Sequence, residues 1–376
     1  MFGGAHRGND FSGIATPAVA SLAAMKFPAL HGEMLGPPLE IQYGRQAMIT
    51  RTDTMTTLAV VYRDSVIWRY SFPAGEHPMA GLAADSAGVL YSISTRGTLR
   101  AFGADGKPIW EKETQKDVPA DRFIIPAPLL AVSDGVIVGN SFGRIMRFTR
   151  EGEKRWSVQR GGAVDAPPAA DPALGLVVAV THNDYDRPDT LLLLDPATGT
   201  QRWATPLAEG RILSGPVIAG GRIVLGGATR LPSDQRAPFA AGFGLDGRQQ
   251  WRTPLPLMPR GIGTDNAGNS YIACSGTAQE GTGGALVALD TLGKKRWEVT
   301  LESGLPAAPS VSADWVYFIS RREGRTGIFT YGRDGTFHSF VSINILPDVH
   351  AQTTISSFGE VILAGLDQAV LLRGGN

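Results

Sequence analysis

Residues 101–110 read AFGADGKPIW, and the phrase returns four times: RFTREGEKRW at 147–156, LLDPATGTQRW at 193–203, GFGLDGRQQW at 242–251 and ALDTLGKKRW at 288–297. In each, a tryptophan follows a glycine by four positions, as Trp110 follows Gly106 and Trp297 follows Gly293. The glycine supplies the positive φ that a tight hairpin turn needs. With Trp68, which follows Asp64 rather than a glycine, successive tryptophans are 42, 46, 47, 48 and 46 residues apart. One such phrase would mean little, but five at a nearly constant period mark a repeat of small sheets.

Each unit reads as four strands. In the second unit they fall near 79–84, 89–94, 98–103 and 108–112, and apolar residues alternate only approximately along them. That pattern fits sheets covered on both faces by their neighbours. The whole chain, 1–376, is expected to form one domain of eight blades, at about 37–72, 79–113, 123–159, 165–207, 213–255, 260–301, 306–343 and 350–376. In the seventh blade Ser339 stands where tryptophan is expected, and the eighth has only three strand-like runs before the sequence stops. The segment 23–28, with Phe27 in the tryptophan-like place, is expected to supply the fourth strand and close the ring. Closure removes exposed sheet edges that would otherwise invite aggregation. The expected fold is therefore an all-β, eight-bladed propeller of four-stranded antiparallel blades, the last closed by an N-terminal strand.

The period, the Gly-x-x-x-Trp signature and the opening FGGAHRGNDFSG at 2–13 resemble the pyrroloquinoline-quinone-like propeller family. The chain looks like the quinoprotein alcohol dehydrogenase propellers and is similar to the propeller subunit of the outer-membrane protein assembly machinery. The resemblance implies that Phe27, Trp68, Trp110, Trp156, Trp203, Trp251 and Trp297 dock each blade against the next. Trp315 breaks the pattern and reads as packing. The family's dehydrogenases hold a quinone and calcium with adjacent cysteines and a set of Glu, Asn and Asp ligands. Here Cys274 is the single cysteine and no such set can be mapped. The run His182 to Asp189 lacks the ligand spacing and turn glycine of a calcium loop, and reads as a solvated loop. No cofactor is expected, pyrroloquinoline quinone with calcium included, and no metal site.

Composition narrows the function classes. Lys plus Arg is 35 and Asp plus Glu is 35, so nothing favours nucleic acid as a partner. Glycine at 47 and proline at 25, beside 43% hydrophobic residues, point to many short strands and tight turns rather than disorder. No apolar run approaches the roughly 20 residues that span a bilayer. A lone cysteine allows no intrachain disulfide. The first residues hold no apolar signal region, so the chain as given reads as cytoplasmic, or as periplasmic or exported if its N-terminus has been trimmed. A monomer is expected.

Propellers present their D-to-A and B-to-C connections on one face. The B-to-C connections lengthen in blades four to seven, at 182–189, 228–239, 275–283 and 321–327, and variable loops on a rigid scaffold carry binding. The D-to-A connections place Glu33, His77, Asp121, Arg122, Asp165, Arg211, Arg260 and His350 around the channel mouth. Together with His182, Asp184, Tyr185 and Arg230 these are the candidate binding residues. The expected function is a non-catalytic scaffold that binds protein or peptide partners through this face. The alternative is an enzyme of lyase, hydrolase or cyclase type acting on a polar small molecule, with His77 or His350 beside Asp and Arg. The sequence leaves open whether the chain is an enzyme, and it carries no nucleophile elbow, zinc-protease helix or phosphate loop.

Overall fold

The computed structural model describes residues 10–11, 33–35, 38–41, 44–62, 65–114, 128–164, 166–171, 174–182, 187–207, 210–233, 235–276, 283–305, 307–343, 353–356, 359–364 and 369–372. Among them there is no α-helix, and no helix long and apolar enough to cross a membrane. The strands form eight sheets in chain order. Blade two shows the unit: strand A at Pro78–Ala84, B at Leu90–Ser94, C at Thr98–Phe102 and D at Pro108–Glu113, each antiparallel to the next. Strands B and C are buried along their whole length, while D is exposed except for Trp110. A sheet sandwiched between two neighbours, with only its outermost strand in water, has this pattern.

The apolar core lies between the blades. Seven clusters each join consecutive sheets, from Val60 of blade one with Leu90 and Phe102 of blade two, to Tyr317 and Ile328 of blade seven with Val361 and Leu363 of blade eight. Blade one splits its inner strand into Glu33–Met34 and Leu39–Glu40, both paired with Gln46–Arg51. Blade eight has three strands among the described residues, Thr353–Ile355, Val361–Ala364 and Ala369–Leu372. The segment 23–28, expected to close it, lies outside the described residues.

Six junctions share one device. A Cβ placed on Gly106, Gly152, Gly199, Gly247, Gly293 or Gly335 would stand within 3.0 Å of the indole of Trp68, Trp110, Trp156, Trp203, Trp251 or Trp297, respectively. Each tryptophan of one blade therefore lies on the C-to-D turn glycine of the next. These glycines also have φ between 72° and 90°, so the residue is needed twice, for the turn and for the close approach. The indole nitrogens fasten the contact: Trp110 donates to the Arg150 carbonyl at 2.6 Å, Trp156 to Pro196 at 3.0 Å, Trp203 to Leu245 at 2.7 Å and Trp297 to Arg333 at 3.0 Å.

Two junctions add a buried Asp–Tyr pair reached by an arginine of the next blade. Asp85, in the A-to-B turn of blade two, accepts from Tyr91 Oη at 3.1 Å and from Arg150 Nε of blade three at 2.7 Å. Asp265 of blade six repeats this with Tyr271 at 3.0 Å and Arg333 of blade seven at 2.5 Å. Burial works to raise the Asp265 carboxyl, but hydrogen bonds from Asn269 and the Arg333 charge outweigh it and hold it below its usual range. Burial, then the Asp265 charge, push Tyr271 up to about 12.

Two of the expected loops prove to be strand. In blade five, Arg222–Arg230 and Arg236–Phe243 pair as far as Arg230 opposite Arg236, so 228–239 is the end of a long hairpin. In blade seven, Arg322 pairs with Arg325 and the turn is only Glu323 and Gly324, so 321–327 is likewise hairpin. Charged and proline residues suggested loops, but the hairpin tips are exposed at Arg230, Arg236, Arg321, Arg322 and Arg325, where a strand carries the same residues.

Candidate functional site

On the face formed by the D-to-A and B-to-C connections, a cleft of about 380 Å³ opens between blades three and four. Three connections build it. The B-to-C turn of blade three gives Ser141 and Phe142, the D-to-A segment entering blade four gives Arg160 to Ala163, and the B-to-C connection of blade four gives Thr181, His182 and Arg187. Its volume falls at the lower end of the range for small-ligand clefts.

Backbone packing fixes these walls. The buried Asn140 side chain accepts from the amides of Phe142 at 2.9 Å and Arg144 at 3.1 Å, which shapes the first turn. Ala163 and Thr181 exchange backbone hydrogen bonds at 2.8 and 2.9 Å, tying the second wall to the third. A side chain on Gly162 would strike the Thr181 carbonyl and the His182 ring, so only glycine lets the two segments meet.

Asp189 anchors the third wall. It is 1% exposed, and it accepts from the His182 amide at 2.9 Å, from Arg211 at 2.7 Å and from the Ile212 amide at 2.7 Å. Arg211 also donates to the His182 carbonyl. One buried carboxylate thus joins the rim of blade four to the first residues of blade five. The reading of 182–189 as a solvated loop fails at this residue, whose burial is stabilised by a guanidinium and two amides. Asp189 and Arg187 lie in the 182–189 connection that the sequence marks for binding, but neither they nor Arg160 stand among the individual candidate residues. The one sequence signal was an Asp directly before the apolar strand Thr190–Leu194.

The cleft gathers donors. Arg160, His182 and Arg187 line it, and no Asp or Glu does among the described residues. Two buried nitrogens, His182 Nδ1 and Arg160 Nε, have no hydrogen-bond partner among the described residues, and the Asp189 carboxylate stands 4.0 Å from that Nδ1. A buried guanidinium N–H without an acceptor, as at Arg160, is costly, and an entering anionic group relieves that cost. The chemistry is that of holding a carboxylate or similar anion.

Other expected site residues do not converge here. His77 Nδ1 lies 3.1 Å from Thr56 Oγ1, beside Glu76, which is bound to the buried Arg100. Arg230 ends the blade-five hairpin, and Arg260 lies in the inner strand Met258–Thr264 of blade six. Asp121, Arg122, Asp165, Asp184, Tyr185 and His350 lie outside the described residues, as does Phe27, and of Glu33 only its place in the inner strand of blade one is described. Trp315 packs on the His338 ring at 4.7 Å. Among the described residues no group of three His, Cys, Asp or Glu side chains could hold a metal ion.

Comparison with known proteins agrees with this architecture. The PQQ_2 family, described as outer membrane protein assembly factor BamB, matches over 55–228 and 172–365. Among solved structures, BamB from Moraxella catarrhalis is 19% identical, with a TM-score of 0.63 over 87% of this chain and 93% of that one. Sqt1 from Saccharomyces cerevisiae is 12% identical, with a TM-score of 0.67 over 98% of this chain and 100% of that one. The Dos1 propeller is 10% identical, with a TM-score of 0.59 over 98% and 97%. At these identities the structural likeness shows the fold alone. No curated protein matches the sequence.

Proposed function

The chain belongs to the PQQ_2 family, described as outer membrane protein assembly factor BamB, and on that premise we propose that it is a propeller scaffold that docks a protein partner on its loop face. An acidic side chain or terminal carboxylate of the partner seats in the cleft between blades three and four. The observation that carries this reading is the convergence of Arg160, His182 and Arg187 without an acidic side chain among the described lining residues, with the buried Arg160 Nε and His182 Nδ1 lacking a partner among the described residues. The family description names an assembly factor, which is work done on other proteins. Rigid walls built on backbone pairing suit such docking, because little order has to be gained on binding.

Titration of a labelled glutamate-rich peptide tests the reading. Arg187→Glu should weaken binding about tenfold, since like charge at a docking site costs several kcal/mol at most and Arg187 is solvent-exposed. The affinity should also fall as salt rises. Unchanged affinity in both Arg160→Ala and Arg187→Glu would overturn the assignment of the cleft.

A further inference from the structure

The innermost strand of blade seven carries something the other blades lack. Residues Asp10–Phe11 run parallel to Ser310–Ser312, with Asp10 opposite Val311 and Phe11 opposite Ser312. Among the described residues this is the one parallel pairing, and the one innermost strand with a partner on its channel side. An innermost strand facing a channel has a row of unpaired amides and carbonyls, a template for one more strand.

The surroundings suit an entering backbone. In blades two, five and six the register of the innermost strand breaks, between Pro78 and Leu82, Ile212 and Ser214, and Pro259 and Gly261. In blade seven Ser310 and Val311 pair with Tyr317 and Val316 without a shift. The strand is firmly backed: Ser310, Val311 and Ser312 are fully buried, and Ser310 Oγ donates to the Thr353 carbonyl of blade eight at 2.6 Å. On its other side Gly263 of blade six approaches Val311 and Pro309 so closely that a Cβ there would meet both.

We propose that the channel edge of Ser310–Ser312 is a strand-addition site for an extended peptide, held in this chain by its own residues 10–11 as a displaceable occupant. Two residue pairs make a short ladder, and ladders of that length exchange readily with a competitor of the same geometry. The inference is independent of the cleft between blades three and four.

The test uses a fluorescent peptide of residues 6–15 with the full chain and with a chain lacking residues 1–15. The shortened chain should bind it at least tenfold more tightly than the full chain. The amides of 310–312 should exchange faster in the shortened chain and slow again on adding peptide. The full-length double variant Asp10→Pro and Phe11→Pro, which removes both donors but keeps the remaining sequence, should behave as the shortened chain does. Equal binding to all three proteins, binding to none, or exchange at 310–312 that ignores the deletion would overturn the proposal. Arg160→Ala and Arg187→Glu should leave this binding unchanged.

Discussion

Two stretches of the ring are joined differently. From blade one to blade seven, every junction sets an indole on the turn glycine of the following blade, six in all. Between blades seven and eight the tryptophan position holds Ser339, and in blade one the C-to-D hairpin has no glycine, Tyr62 pairing directly with Ser65. The seventh junction still has an apolar cluster of Tyr317, Ile319, Ile355 and Leu363, and a Ser310–Thr353 hydrogen bond. Ser339 stands there in place of an indole. The contrast shows that tryptophan and glycine are coupled across a blade boundary: a turn glycine serves the preceding unit's tryptophan, not its own. In blade one, the position of the turn glycine holds Asp64.

Substitution can break this comparison. The largest effect is expected for Trp110→Ala, where a side chain 9% exposed is removed from a packed junction. The loss should be about 3–5 kcal/mol by urea unfolding, whereas Ser339→Ala should change stability by less than about 0.5 kcal/mol. Gly152→Ala should follow, at about 2–4 kcal/mol, combining a left-handed φ with a methyl forced into the Trp110 ring. Its cost should shrink in a Trp110→Ala background, because half of the penalty is that collision.

Acid unfolding sharpens the account of the charged junctions. Asp265 has a lowered pKa when folded, so its contribution is present above the unfolded carboxyl range near 3.9 and fades as pH falls through the folded value. Asp265→Asn should therefore be less stable than wild type at neutral pH, and the gap should narrow below about pH 4 in thermal melts. The Tyr271 hydroxyl, pushed up to about 12, works the other way. Its contribution is full below pH 10 and is lost as pH rises toward 12, a decline that Tyr271→Phe should not show. The smallest expected effect concerns Cys274, buried in the core between blades five and six, with burial pushing its thiol up to about 12. It should be inert to thiol reagents at pH 8 until the protein unfolds.

The architecture was legible because the repeat wrote it several times. Five copies of a turn-plus-tryptophan phrase fix blade length and strand order, and the strands of blade two lie within a residue of where the sequence places them. The partner of each tryptophan was not legible, since local spacing pairs Gly106 with Trp110 while the fold pairs it with Trp68. The cleft was only partly visible. His182 and Arg211 stand out as polar residues in connections, but Arg160 is placed at the cleft by close backbone contact with Gly143 in the B-to-C turn of blade three. Asp189 looks in sequence like any loop aspartate, and only the approach of Arg211 from the next blade shows why it can be buried. Such contacts depend on distances that no local pattern encodes.

If the indole-on-glycine joints hold the arc together and their absence leaves the seam weaker, native-state hydrogen exchange in low denaturant should separate the two. The account predicts that amides of Thr353–Ile355 and Val361–Ala364 open at lower free energy than those of Gly135–Gly139 and Gly284–Leu289. Equal opening free energies in all four strands would contradict it.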